Sequence, residues 1–207
     1  MNKFNTNETL THCLPVFKVV IDVTNGIDKM SLVTFPAVES DFIAMSKQQT
    51  RIAMSLDEEQ HIVMGVALRC NYPIYRVSPS YGEYFVVFDK EAIRSAYEKF
   101  MHHPNRVNLQ HRDDVEGVYL IQSYIKDAAA GIDPIQFKDI EDGSWIVCYK
   151  VENEEVWSQI KSGEFRGFSV EGWFDLQETD MEIEMEMMKE DADSDDKDLV
   201  DEILDSI

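Results

Sequence analysis

The sequence predicts a mainly β domain of the α+β class. Seven short segments rich in β-branched or aromatic residues are bounded by Gly, Pro, Asp or Asn, and only two stretches space their apolar residues as a helix does. The 207 residues, 44% hydrophobic and 11% aromatic, are enough to bury one full core.

Residues 16–23 form the first strand and run to Asn25-Gly26, a hairpin signal, after which 30–35 resume strand character before Pro36. These two predict an early strand pair. Further strands are expected at 61–68, 84–88, 117–125, 144–151 and 165–176. Asp89 is placed to cap a helix carrying Ile93, Tyr97, Phe100 and Met101 on one face and stopping before Pro104. A second helix, 153–162, sets Val156, Trp157 and Ile160 on one face and ends at Gly163, a left-handed cap. Many short strands with a few helices point to a β-barrel or an α+β core.

Charge divides the chain. The net charge is −21, and 14 of the 40 acidic residues fall in 178–207. We therefore read residues 1–15 as an N-terminal extension, 16–177 as the folded domain and 178–207 as an acidic, largely disordered tail. Leu199, Val200, Ile203, Leu204 and Ile207 form one stripe of a short terminal helix. Without a basic patch the chain is not expected to bind nucleic acid or an anionic membrane surface. Cys13, Cys70 and Cys148 are too few and too widely spaced for a disulfide framework or a zinc site, so neither metal nor cofactor is expected. A reducing compartment fits that cysteine usage. No apolar leader opens the sequence, and no stretch approaches a membrane span.

A serine and a histidine stand out from this background. A hydroxyl needs an imidazole to take its proton and fixed donors to hold an oxyanion. Among five histidines, His111 alone sits among polar groups, Asn108, Arg112, Asp113 and Asp114, just before a strand. Ser169 lies in a strand flanked by Gly167 and Gly172, which allow close backbone approach. These features fit a catalytic pair, and they also fit a solvated histidine and a hydrogen-bonded strand serine.

The segment Lys161-Ser-Gly-Glu-Phe-Arg-Gly-Phe-Ser169-Val-Glu-Gly-Trp-Phe174 resembles the nucleophile segment of the XkdF-like phage serine proteases, relatives of the tailed-phage prohead maturation proteases. Asn108-Leu-Gln-His111-Arg-Asp-Asp-Val-Glu-Gly-Val-Tyr119 is similar to their histidine frame, apart from Arg112 inserted before the acid. Gly65-Val-Ala-Leu, Pro73-Ile-Tyr-Arg76 and Gly82-Glu-Tyr-Phe-Val-Val-Phe88 extend the likeness, which spans roughly residues 16–176.

The resemblance implies a closed, mostly antiparallel β-barrel of the prohead protease and assemblin type. It also implies Ser169 as nucleophile and His111 as general base; oxyanion support, which needs fixed donors, is expected from Arg166 and the backbone N–H groups around Gly167 and Val170. The string Ile27-Asp-Lys-Met-Ser-Leu-Val-Thr-Phe-Pro-Ala37 is similar to a strand that lies late in prohead proteases, which implies a circular permutation. Lys29 occupies the position of the family acid there, so neighbouring Asp28 is the candidate third member, with Asp113, Asp114, Glu171 or a Ser-His dyad without a strong orienting acid as alternatives.

The implied activity is a prohead maturation endopeptidase acting on scaffold protein, on capsid protein segments and on itself, inside the procapsid in the bacterial cytoplasm. Self-association fits that role. The alternative is a non-catalytic capsid assembly or scaffold protein that keeps the fold, with the acidic tail as its working part.

Overall fold

The computed structural model describes residues 11–22, 24–36, 43–45, 60–104 and 106–186. They form β1 (Thr11–Val20), β2 (Gly26–Val33), β3 (Ile43–Met45), β4 (Ile62–Leu68), β5 (Ile74–Ser78), β6 (Gly82–Val87), α1 (Lys90–Phe100), β7 (Val107–Leu109) and β8 (Asp113–Asp114). There follow β9 (Val118–Ile125), a 3-10 turn at Ile135–Phe137, β10 (Trp145–Val151), α2 (Glu154–Ser162), β11 (Gly167–Trp173) and β12 (Asp175–Glu186). No helix among the described residues is long and apolar enough to cross a membrane.

The strands make three four-stranded sheets, ordered β12-β1-β6-β5, β3-β4-β10-β9 and β11-β2-β7-β8. Pairing is antiparallel except for β1 with β6 and β2 with β7. The mainly β, α+β class is as expected. Among the described residues no ladder closes on itself, so these sheets do not form the closed barrel implied by the resemblance.

Two further expectations are corrected. β1 and β2 do not pair, although Asn25-Gly26 lies between them; β1 runs beside β12 and β6, and β2 beside β11 and β7. Local side-chain bonds explain the divergence. Asp22 Oδ1 accepts from the Thr24 N–H (2.7 Å), Asn25 Oδ1 accepts from the Asp22 N–H (2.9 Å), and Asn25 Nδ2 donates to Asp175 (2.8 Å). Turn-forming Asx contacts thus redirect the chain into another sheet instead of closing a hairpin.

The domain boundaries also move. β12 continues to Glu186 and β1 begins at Thr11, with Thr11 opposite Glu186 and Leu14 opposite Ile183. The alternation Met181-Glu-Ile-Glu is therefore a paired strand, and the domain extends past both 15 and 178. Residues 187–207, with the stripe from Leu199 to Ile207, lie outside the described residues.

One apolar cluster joins all three sheets and both helices. Asp89 caps α1 by accepting from the Ala92 N–H (2.9 Å), a contact worth about 1 kcal/mol. Asn153 caps α2 through Glu155 and Val156, and Gly163 closes it at φ 79°. β2 lies inside its sheet, with Met30, Ser31 and Leu32 fully buried. That strand positions the site, because β11 flanks it on one side and β7 on the other.

Candidate active site

Ser169 stands on β11 directly opposite Ser31 on β2, so both hydroxyls are fixed by one ladder. His111 comes from the other side of β2. The β7–β8 hairpin turns through residues 110–112, with Arg112 N–H donating to the Leu109 carbonyl (3.0 Å). Gln110 and His111 both take left-handed backbone angles, φ 52° and 59°. Neither is glycine, and each such residue costs roughly 1 kcal/mol or more, so surrounding contacts must hold the turn. Gln110 supplies them. Its N–H donates to the Leu32 carbonyl (3.0 Å), and its side-chain amide donates to Thr34 Oγ1 (2.5 Å), tying the hairpin tip to β2.

The ring of His111 is thereby set between two hydroxyls. Nε2 lies 3.1 Å from Ser169 Oγ, and Nδ1 lies 2.9 Å from Ser31 Oγ. Glu171 Oε2 is 3.5 Å from Nδ1, and it also accepts from Asn108 Nδ2 at 2.8 Å. Asn108 Oδ1 in turn accepts from Ser31 Oγ at 2.5 Å.

Proton bookkeeping along this chain fixes the tautomer. A carboxylate only accepts, so the amide nitrogen of Asn108 must face Glu171 and its oxygen must face Ser31. Ser31 spends its one proton on that oxygen. Its own oxygen then accepts from Nδ1–H, which leaves the Nε2 lone pair directed at the Ser169 hydroxyl. Ser31 and Asn108 are almost wholly buried, so the orienting half of the chain is held rigidly. His111 and Glu171 are 40% and 43% exposed, so solvent screens their attraction and Glu171 acts as a modest partner for an imidazolium.

Asp28 is not brought to this ring. The β2–β11 ladder shifts register between Glu171 and Gly172, leaving Asp28 as the extra residue of a bulge. It remains exposed, its carboxylate has no hydrogen bond or ion pair among the described residues, and it borders a different depression beside Lys99, His103 and Arg106. Asp114 is taken by Lys29 at 2.6 Å, and Asp113 is an exposed ladder residue opposite Leu109. Of the acidic residues considered, Glu171 is the one that meets His111. Ser31 escaped the sequence reading. Its only available signal was a small polar residue at a central strand position between Met30 and Leu32.

The oxyanion candidates divide. Met30 N–H donates to the Arg106 carbonyl, and Gln110 N–H to the Leu32 carbonyl, so Met30 and Leu32 direct their backbone groups to β7. Lys29, Ser31 and Val33 therefore direct theirs to β11. Gly167, opposite Val33, is inside that ladder, and the exposed Arg166 gives its N–H to the Val33 carbonyl (2.8 Å). Val170 is different: its N–H projects from the outer edge of β11, next to the nucleophile, where an oxyanion could meet it.

A serine hydroxyl, an imidazole of fixed tautomer and a carboxylate beside it make the constellation of a serine hydrolase. The chain belongs to the family described as "Putative phage serine protease XkdF", whose profile matches residues 49–178. It is 25% identical over 135 residues to the phage-like element PBSX protein XkdF of Bacillus subtilis (strain 168), covering 65% of this chain and 45% of that one. It is 27% identical over 128 residues to the uncharacterized protein YqbD of the same organism, covering 61% of this chain and 35% of that one. The chain thus spans less than half the length of these curated relatives. No solved structure matches it. Asn108, His111, Ser169 and Glu171 lie inside the matched residues, whereas Ser31 lies before them.

Proposed function

We propose that the protein is a serine endopeptidase of phage prohead maturation, acting inside the procapsid on scaffold and capsid protein segments and on itself. The observation that carries the reading is the ordered chain of hydrogen bonds from Asn108 through Ser31 and His111 to Ser169, because it leaves the base lone pair aimed at the nucleophile.

The steps follow from that geometry. Ser169 Oγ bonds to the scissile carbonyl carbon as its proton passes to His111 Nε2, and the resulting imidazolium is held by Ser31 and Glu171. The oxyanion takes the Val170 N–H. Collapse breaks the C–N bond, and Nε2 returns the proton to the departing amine. Water then enters and bonds to the acyl carbon as it gives a proton to Nε2, and Nε2 returns that proton to Ser169 Oγ as the bond from Oγ to the acyl carbon breaks.

The test is co-expression with the capsid and scaffold genes of the same phage, with mass spectrometry of the products. Ser169→Ala and His111→Ala should each abolish processing, and the double variant should be little worse than either single one, because the pair acts as a unit. Processing unchanged in Ser169→Ala, with particles still assembling, would establish a non-catalytic assembly protein instead.

A further inference from the structure

A cavity of about 240 Å³ lies along β11 and has Ser169 in its wall. Its lining is apolar for the most part: Phe168 and Val170 of β11, Leu68 of β4 and Tyr84 of β6 contribute. Among the described residues, Arg76 on β5 is the one charged side chain that lines it.

Arg76 is among the described cations that have no carboxylate partner, as Arg94 and Arg112 are. Lys18, Lys29, Arg69 and Lys126 each hold a carboxylate. Arg76 has none among the described residues; its Nη1 donates to its neighbour's backbone carbonyl, that of Tyr75, at 2.9 Å. Tyr84, its cross-strand partner, adds only a phenol. Arg76 is exposed at the cavity wall; desolvation lowers its pKa from the ordinary arginine range, and it stays a cation at neutral pH. A fork of donors at the wall of an apolar cavity suits a carboxylate arriving from outside, which it can hold by two parallel charge-assisted bonds.

We infer that this cavity is the specificity pocket of the protein, and that it takes a Glu or Asp side chain of the peptide substrate close to the scissile bond, with Arg76 as its counter-ion. The inference rests on the proposed protease activity. The outer edge of β11 explains why a peptide brings the acid. Val170 offers its backbone there to an extended chain, and alternate side chains of such a chain face the strand's pocket.

The experiment takes a cleavage site mapped in the capsid, scaffold or self-processed product, and compares peptides carrying Glu or Gln at each position within three residues of the scissile bond. At one position Glu should be preferred by about tenfold or more in kcat/KM. Arg76→Gln should erase that preference, so that the Glu and Gln peptides are cleaved with kcat/KM values within about threefold of each other, and Arg76→Glu should favour Lys at that position. Binding of the same labelled peptides to the Ser169→Ala variant gives a readout that needs no catalysis.

Cleavage without a Glu preference, or a preference that survives in Arg76→Gln, overturns the pocket assignment and leaves the protease reading intact. Arg76-dependent binding with no cleavage by the wild type keeps the pocket and refutes the protease. Neither binding nor cleavage refutes both.

Discussion

Ser31 and Ser169 face each other across one ladder, and the imidazole of His111 spans them, with one ring nitrogen on each hydroxyl. On the proposed function Ser169 is the nucleophile, while its cross-strand twin Ser31 sets the proton position on the ring.

Ser31→Ala should lower kcat by about 10–100-fold with KM nearly unchanged, since the tautomer is then held by Glu171 alone. Glu171→Gln should act similarly, because the imidazolium loses its nearest carboxylate. Steady-state kinetics well below the melting temperature would check both. An unchanged kcat in Ser31→Ala would refute its orienting role.

Gly172→Ala should be severely destabilising. A Cβ on Gly172 would lie 2.0 Å from the Gly26 carbonyl oxygen, which belongs to the backbone of the facing strand and cannot swing aside. Overpacking against fixed backbone costs about 3 kcal/mol or more, so the melting temperature should fall by roughly 6 °C or more. Thermal denaturation followed by circular dichroism reads this directly.

Tyr149→Phe should stabilise the fold. The Tyr149 hydroxyl is buried, has no hydrogen-bond partner among the described residues, and has its pKa driven upward by that burial. Removing an unsatisfied polar group should add about 1 kcal/mol. A rise of about 2–4 °C in melting temperature would be the expected result.

The three thiols should differ in reactivity. Cys13 is exposed, whereas burial raises the Cys70 pKa and pushes that of Cys148 up to about 11. At pH 8 the native protein should consume one equivalent of a thiol-specific disulfide reagent, and three after denaturation. Peptidase activity should survive that modification. Loss of activity on labelling Cys13 would contradict the serine chemistry proposed here.

How far the sequence could be read depended on how local each feature is. Asp89, Asn153 and Gly163 act within one helical turn, and all three caps were legible in the sequence. Ser169 and His111 were legible through their frames. The partner acid was not, because it depends on register. Lys29 stands where the resemblance implies an acid, and its cross-strand partner on β11 is Glu171. The carboxylate thus comes from the opposite strand. Asp28 is the neighbour of Lys29 in sequence, but the bulge leaves it in solvent. The β1–β12 ladder joins residues about as far apart as the described chain allows, and no local pattern announces such a pairing.

The placement of β2 between the strands that carry Ser169 and His111 has a consequence for when the protein can become active. Its neighbours come from residues 107–109 and 167–173, so the three components of the catalytic chain are brought together only by long-range loop closure. A nascent chain that has emerged only as far as β10 already holds Ser31 and His111, but has no nucleophile to use. A fragment starting at residue 49 would have the nucleophile and the base without the residue that aligns them. On the proposed function, peptidase competence would therefore be acquired only when β11 docks, and a partly synthesised or clipped chain would remain inert toward its surroundings.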